Sequence, residues 1–120
     1  MVFSDSARFW ALADALVAAS EIVIDRPRGS AHPRHPDVIY PLDYGYLGGT
    51  TGGDGEGVDV WRGSQATLRV SAVIATVDVF KRDAEVKLLI ACTPGECEIA
   101  LMTHRQESQD GLLVHRPSAV

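Results

Sequence analysis

Cysteine is scarce: two residues in 120, which supports no disulfide framework. Positive charge is also scarce and dispersed. Lys and Arg total 11 against 16 Asp and Glu, for a net charge of −5. Duplex-binding proteins need a basic face to release counterions, and none can be assembled here, so no nucleic-acid partner is expected. No run of about 18 apolar residues exists, so no membrane-spanning helix and no membrane partner are expected. The opening Met1-Val2-Phe3-Ser4-Asp5 lacks the basic segment of a secretory signal, and a cytoplasmic protein is the expectation. Internal repeats, low-complexity tracts and linkers are absent too.

What is present is an ordinary globular balance, 46% apolar and 22% charged. A chain of this length buries roughly two-thirds of its unfolded surface, which suffices for a core. One domain over 1–120 is expected, with a helix over 4–20 and a barrel over about 21–116.

Ser4 is a good N-cap, and Asp5 sits where the helix dipole favours a carboxylate. Phe9, Leu12, Ala13, Leu16 and Val17 recur at helical spacing with Trp10 beside them, which predicts a helix packed on a sheet. Asp14 falls opposite and should be solvated. Residues 21–25 are β-branched and read as a strand. Residues 26–36 hold three prolines and form an extended cationic loop. A short strand is expected at 38–40, and six of the eleven glycines fall between Gly48 and Gly57, which marks a loop. Strands follow at 58–61 and 67–80. In the latter, Leu68, Val70, Ala72, Ile74 and Thr76 share one parity. Residues 84–92 and 97–102 flank Thr93-Pro94-Gly95-Glu96 and read as a hairpin, with a last strand at 111–115. In that hairpin Cys92 and Cys97 face each other, and two reduced core residues are favoured over a redox or metal pair. The fold class predicted is mainly β: a small OB-like barrel of about five strands with an N-terminal helix packed on it.

Asp54, Glu56 and Asp59 place three carboxylates within six residues on a glycine-rich loop entering a strand. Converging carboxylates repel unless a cation sits among them. Hard oxygen ligands suit Mg²⁺ or Mn²⁺, which keep waters and collect phosphate oxygens; the loop lacks the twelfth-position carboxylate of a calcium hand. Asp83, Glu85 and Lys87, at period 2, point to one face of a strand. Either a salt bridge on a solvated hairpin or a phosphate-binding charge beside a metal fits this trio. His32 and His35 flank Pro33-Arg34, with Asp37 close by. A phosphate contact or a loop-anchoring hydrogen bond is favoured there over zinc. Trp10 is assigned to the core, while Trp61 fits either core or interface.

These pieces occur in order: a strand, Tyr40-Pro41-Leu42-Asp43-Tyr44-Gly45-Tyr46, then Asp54-Gly55-Glu56-Gly57-Val58-Asp59-Val60, then the acidic turn and Lys87-Leu88. Over residues 22–91 the order resembles the soluble family I inorganic pyrophosphatases. The resemblance implies a small OB-like barrel, several Mg²⁺ ions held by acids, and hydrolysis of pyrophosphate to two phosphates. By that resemblance Asp54, Glu56, Asp59, Asp83 and Glu85 are metal ligands. Glu56 stands where the family has an aspartate acting as general base. Lys87 and Tyr44 match phosphate contacts, Tyr40 a residue lining the site, and Asp25 falls near a first-strand glutamate. The catalytic set implied is Glu56, Asp59, Lys87 and Tyr44.

The departures are specific. Glu56 and Glu85 are longer than the family's aspartates, Gly57 replaces a proline or acid, and the turn before Lys87 is short. The early hairpin is compressed into the proline-rich loop, where Arg26, Arg28, Arg34, His32 and His35 are available and Arg34 is favoured as a substitute phosphate contact. The family's C-terminal helix and its Tyr-Lys contact are not recognisable. The substrate implied is pyrophosphate or a related small phosphoanhydride. The alternatives are a barrel that binds metal and phosphate without turnover, and an interaction protein with the apolar helix and Trp61 at an oligomer interface. A homo-oligomer is expected.

Overall fold

A computed structural model describes residues 6–53 and 55–118. The elements in chain order are α1 (Ala7–Ala18), β1 (Glu21–Arg26), β2 (Asp43–Gly48), β3 (Val58–Arg62), β4 (Val70–Asp78), β5 (Asp83–Ile90), α2 (Pro94–Thr103) and β6 (Gln109–His115). The strands form one sheet in the order β1-β2-β3-β5-β4-β6. Its neighbours pair antiparallel except β3 and β5, which run parallel. The fold is mainly β, of the small OB-like type expected, with an N-terminal helix packed on the sheet. Among the described residues it has six strands rather than about five, and a second helix.

That second helix corrects the sequence reading. Residues 97–102, expected to be a hairpin strand, lie in α2. The Thr93 side chain accepts from the Glu96 N–H at 3.2 Å, and the Glu96 carboxylate accepts from the Thr93 N–H at 2.9 Å. Pro94 occupies the first turn, where its missing N–H is harmless. This reciprocal cap turns a supposed Pro-Gly turn into a helix start. Cys97, Ala100 and Leu101 then face the core at helical spacing. Cys92 and Cys97 are both free and buried, as two core residues. Residues 38–40 make no strand, only one bridge from Ile39 to Ala31.

Opposite parities of β3 and β5 feed two core clusters. Val60, Leu88 and Ile90 join Trp10, Val17 and Val70 under α1. Trp61 and Leu89 join Tyr40, Leu42, Ile74 and Leu101 beside α2. Trp61 is wholly buried, so it is core within this chain. Gly45 in β2 has no room for a side chain: a Cβ there would fall 1.8 Å from the Val23 carbonyl oxygen.

The α1 stripe splits in two. Trp10, Ala13 and Val17 are buried, whereas Phe9, Leu12 and Leu16 remain exposed. The exposed half borders an open apolar trough of about 1170 Å³ with Val77, Val86 and Leu112. The expected caps, Ser4 and Asp5, lie outside the described residues. Asp14, expected to be solvated, instead clamps the helix to the sheet. It accepts from the Val70 N–H at 2.9 Å and takes Arg116 Nη1 on both oxygens, at 2.9 and 2.8 Å. A strand-edge N–H and a nearby guanidinium need an acceptor, and α1 supplies one at Asp14, three residues before Val17.

Asp14→Ala should lower unfolding free energy by about 1–3 kcal/mol in urea titration, because it strips charge-assisted hydrogen bonds from half-buried partners. An effect below about 0.5 kcal/mol, the range of an ordinary surface change, would show that the clamp is idle.

Candidate active site

β2, β3 and β5 lie side by side, and each presents polar groups on the α2 side of the sheet. Tyr46 pairs with Asp59 and Tyr44 with Trp61 across β2 and β3. The parallel register sets Val60 beside Leu88, which brings Asp59 to Lys87. The Lys87 ammonium donates to Asp59 Oδ2 at 2.9 Å, to Glu85 Oε2 at 2.9 Å and to the Tyr44 hydroxyl at 3.0 Å. An ammonium has three N–H donors, so all of them are engaged. Lys87 is buried. Burial alone would lower its pKa, but the neighbouring Tyr44 and Asp59 outweigh that and hold it above the ordinary lysine value, so it stays charged. Burial pushes the Tyr44 phenol the other way, well above its ordinary value, and it stays neutral at physiological pH.

Around this tripod lies a cavity of about 450 Å³. Asp25, Glu56, Asp59, Asp83 and Glu85 line it, together with the cations Arg26, Lys81 and Lys87. The spacing of Asp83, Glu85 and Lys87 does give one face: the three are half-buried or buried, while Ala84 and Val86 between them are exposed. The acidic loop is seated against β5, since a Cβ on Gly53 would fall 2.9 Å from the Ala84 carbonyl and 3.3 Å from Glu85 Cγ. Asp54 lies outside the described residues.

The carboxylate oxygens suit a hard divalent cation by type. Among the described residues, however, no three acidic, histidine or cysteine side chains converge closely enough to hold one as they stand. Asp59 and Glu85 are turned to Lys87 instead.

The aromatic floor comes from Tyr40 and Tyr44, with Trp61 packed beneath them. Tyr40 stacks on Tyr44 at 5.5 Å between centroids, and Tyr44 meets Trp61 edge-on at 4.6 Å. Arg34 is exposed and is not among the residues lining the cavity; its N–H donates to His32 Nδ1 at 3.0 Å, which anchors the loop. The arginine at the cavity is Arg26, lying 6.0 Å from the Tyr40 ring centroid. A bulge between Ile24 and Arg26 sets Arg26 opposite Tyr44, where a regular ladder would set Asp25. Nothing in the sequence marks that bulge.

Lys81, Gln109 and His104 were not singled out by spacing. Lys81 sits on the β4–β5 turn, and Gln109 opens β6. His104 caps the end of α2, and its Nε2 accepts from Trp61 Nε1 at 2.9 Å. Burial, with the Lys87 charge second, lowers the His104 pKa to about 3, so the imidazole is neutral.

No protein-family model matches the chain, and no curated protein sequence matches it. Among solved structures, the inorganic pyrophosphatase of the pathogenic bacterium Helicobacter pylori is similar, with a TM-score of 0.54. The two are 16% identical, over 78% of this chain and 81% of that one. At that identity the likeness is one of fold.

His104 gives a pH signature. It is neutral when folded and takes up a proton near pH 6.5 when unfolded, so its contribution to stability falls as pH drops from about 6.5 towards about 3. His104→Gln, which keeps an acceptor for Trp61, should flatten the loss of stability between pH 7 and pH 5 in denaturant titrations. Parallel wild-type and variant curves over that window would contradict the assignment.

Proposed function

We propose that this chain hydrolyses inorganic pyrophosphate, or a closely related small phosphoanhydride, to two phosphates with Mg²⁺. The observation that carries this reading is the Lys87 tripod: a buried cation holding Asp59, Glu85 and Tyr44 at the wall of an acidic cavity, in a fold shared with an inorganic pyrophosphatase. Phosphoryl transfer asks mainly for positioned oxygens and offset charge, which such a cavity supplies without a covalent nucleophile.

Asp59, Glu56, Asp83 and Glu85 are the groups that would hold Mg²⁺, or Mn²⁺ in its place, with Asp54 as the fifth acid of the set. When bound, the metal offsets the substrate's negative charge and acidifies water. Glu56, exposed at the cavity mouth, accepts the proton of the attacking water. The water oxygen bonds to one phosphorus, the bridging P–O bond breaks, and the departing phosphate carries its electron pair away. Lys87 keeps Asp59 and Glu85 in place and presents its charge to the substrate. Tyr44 and Tyr40 wall the cavity and exclude water.

A barrel that binds phosphate and metal without turnover is the second reading. It is favoured by one observation, that among the described residues no three acids converge as they stand. The two readings separate on phosphate release from pyrophosphate, with and without Mg²⁺. Strong Mg²⁺-dependent release, reduced about a hundredfold or more in Asp59→Asn, is the expected result. No release, with Mg²⁺ binding still seen by calorimetry, would move the chain to the second reading. Glu56→Asp should keep or raise turnover. A loss beyond about tenfold would mean that the site is built around the longer acid.

A further inference from the structure

The proposed substrate is an anion, and Lys87, expected to grip it, has charge but no hydrogen-bond donor left to offer. All three N–H groups of Lys87 are spent on Asp59, Glu85 and Tyr44. Releasing any of them would leave a buried acceptor or a buried charge unpaired, which is unfavourable. Direct hydrogen bonds to phosphate must come from other cations around the cavity.

Two qualify. Among the described residues, neither Arg26 nor Lys81 has a carboxylate partner within ion-pair distance, and both line the cavity. Arg26 is partly occupied, at 3.5 Å from the Tyr40 hydroxyl. Lys81 is exposed. Three cations bear on one imidazole: His32, already depressed by burial and by His35, is lowered further by Arg26, Lys81 and Arg34. Arg26 and Lys81, which unlike Arg34 line the cavity, bring positive charge to its wall, where an anion would be stabilised.

Lys81 is held there by design of the turn. Asp78 Oδ1 accepts from the Phe80 N–H at 3.0 Å, the Lys81 N–H at 3.1 Å and the Ser108 hydroxyl at 2.8 Å. Those hydrogen bonds, that of Lys81 foremost, keep the Asp78 carboxyl below its usual range. Arg82 takes a left-handed backbone with φ 58°, which closes the turn. Val79 and Phe80 point to solvent while Lys81 turns to the cavity.

We propose that Lys81, set by the Asp78-capped β4–β5 turn and working with Arg26, makes the direct contact to a phosphate group of the substrate, and that Asp78 is its positioning residue. This rests on the phosphoanhydride reading of the same cavity. Lys81 stands in the role that the sequence assigned to Arg34.

The test uses inorganic phosphate as the binding probe and pyrophosphate with Mg²⁺ as substrate. Lys81→Ala should weaken phosphate binding in calorimetry about tenfold and raise the KM for pyrophosphate by a similar factor, the size expected for one charge-assisted contact. Lys81→Arg should restore most of both. Asp78→Ala should shift KM in the same direction, and adding it to Lys81→Ala should cost little more, because the two act as one unit. Unaltered phosphate affinity and KM in Lys81→Ala, beside an active parent, would overturn the proposal and leave the hydrolase reading standing. A parent that neither binds phosphate nor releases it from pyrophosphate would overturn both. Equal losses in Lys81→Ala and Lys81→Arg would also overturn it, since a cation at that position would then not be what matters.

Discussion

The Lys87 ammonium is the interaction on which the rest of the site depends. One buried charge satisfies three acceptors, on β2, β3 and β5, at 2.9 to 3.0 Å. An unpaired ammonium at that depth would be strongly unfavourable, and so would two carboxylates as close as Asp59 and Glu85 without it. The three strands are therefore locked in register by chemistry as well as by their ladders. The same lock keeps two acids oriented at a cavity wall where both would otherwise be free to rotate into water.

Beneath that lock, core and site are the same material. Trp61 is fully buried, yet its ring edge meets Tyr44, and its indole N–H reaches His104 at the end of α2. Tyr40 packs in the same cluster and also lines the cavity. Changes in core packing beside α2 are thus transmitted directly to the phenols facing the cavity. Close packing leaves little slack to absorb them.

Much of this was legible along the chain. Asp59, Tyr44 and Lys87 lie in short motifs, and period-2 spacing was enough to put Asp83, Glu85 and Lys87 on one face. The OB-like class followed from many short apolar runs and one amphipathic helix. The failures have separate causes. Residues 97–102 read as a strand because they flank a Pro-Gly turn, but the Thr93 and Glu96 reciprocal cap is the stronger local signal. Asp14 sits opposite the helix stripe, yet a partner 102 positions away, Arg116, fixes its role. Arg26 reaches the cavity only because β1 bulges, and a bulge leaves no mark in composition. Arg34, six residues before Tyr40, looked better placed until the loop's path was known.

The parallel pairing of β3 with β5 has a consequence in time. Asp59 and Lys87 are 28 residues apart, and β4, which lies between them in the chain, sits outside the pair in the sheet. No local hairpin can bring the two together. β5 meets β4 across a short turn but meets β3 across the whole of β4, and contacts of greater separation cost more loop-closure entropy. A ribosome that has released the chain only as far as β3 has made the acidic loop but not the cation that disciplines it. The site is consequently complete only once β5 lies beside β3.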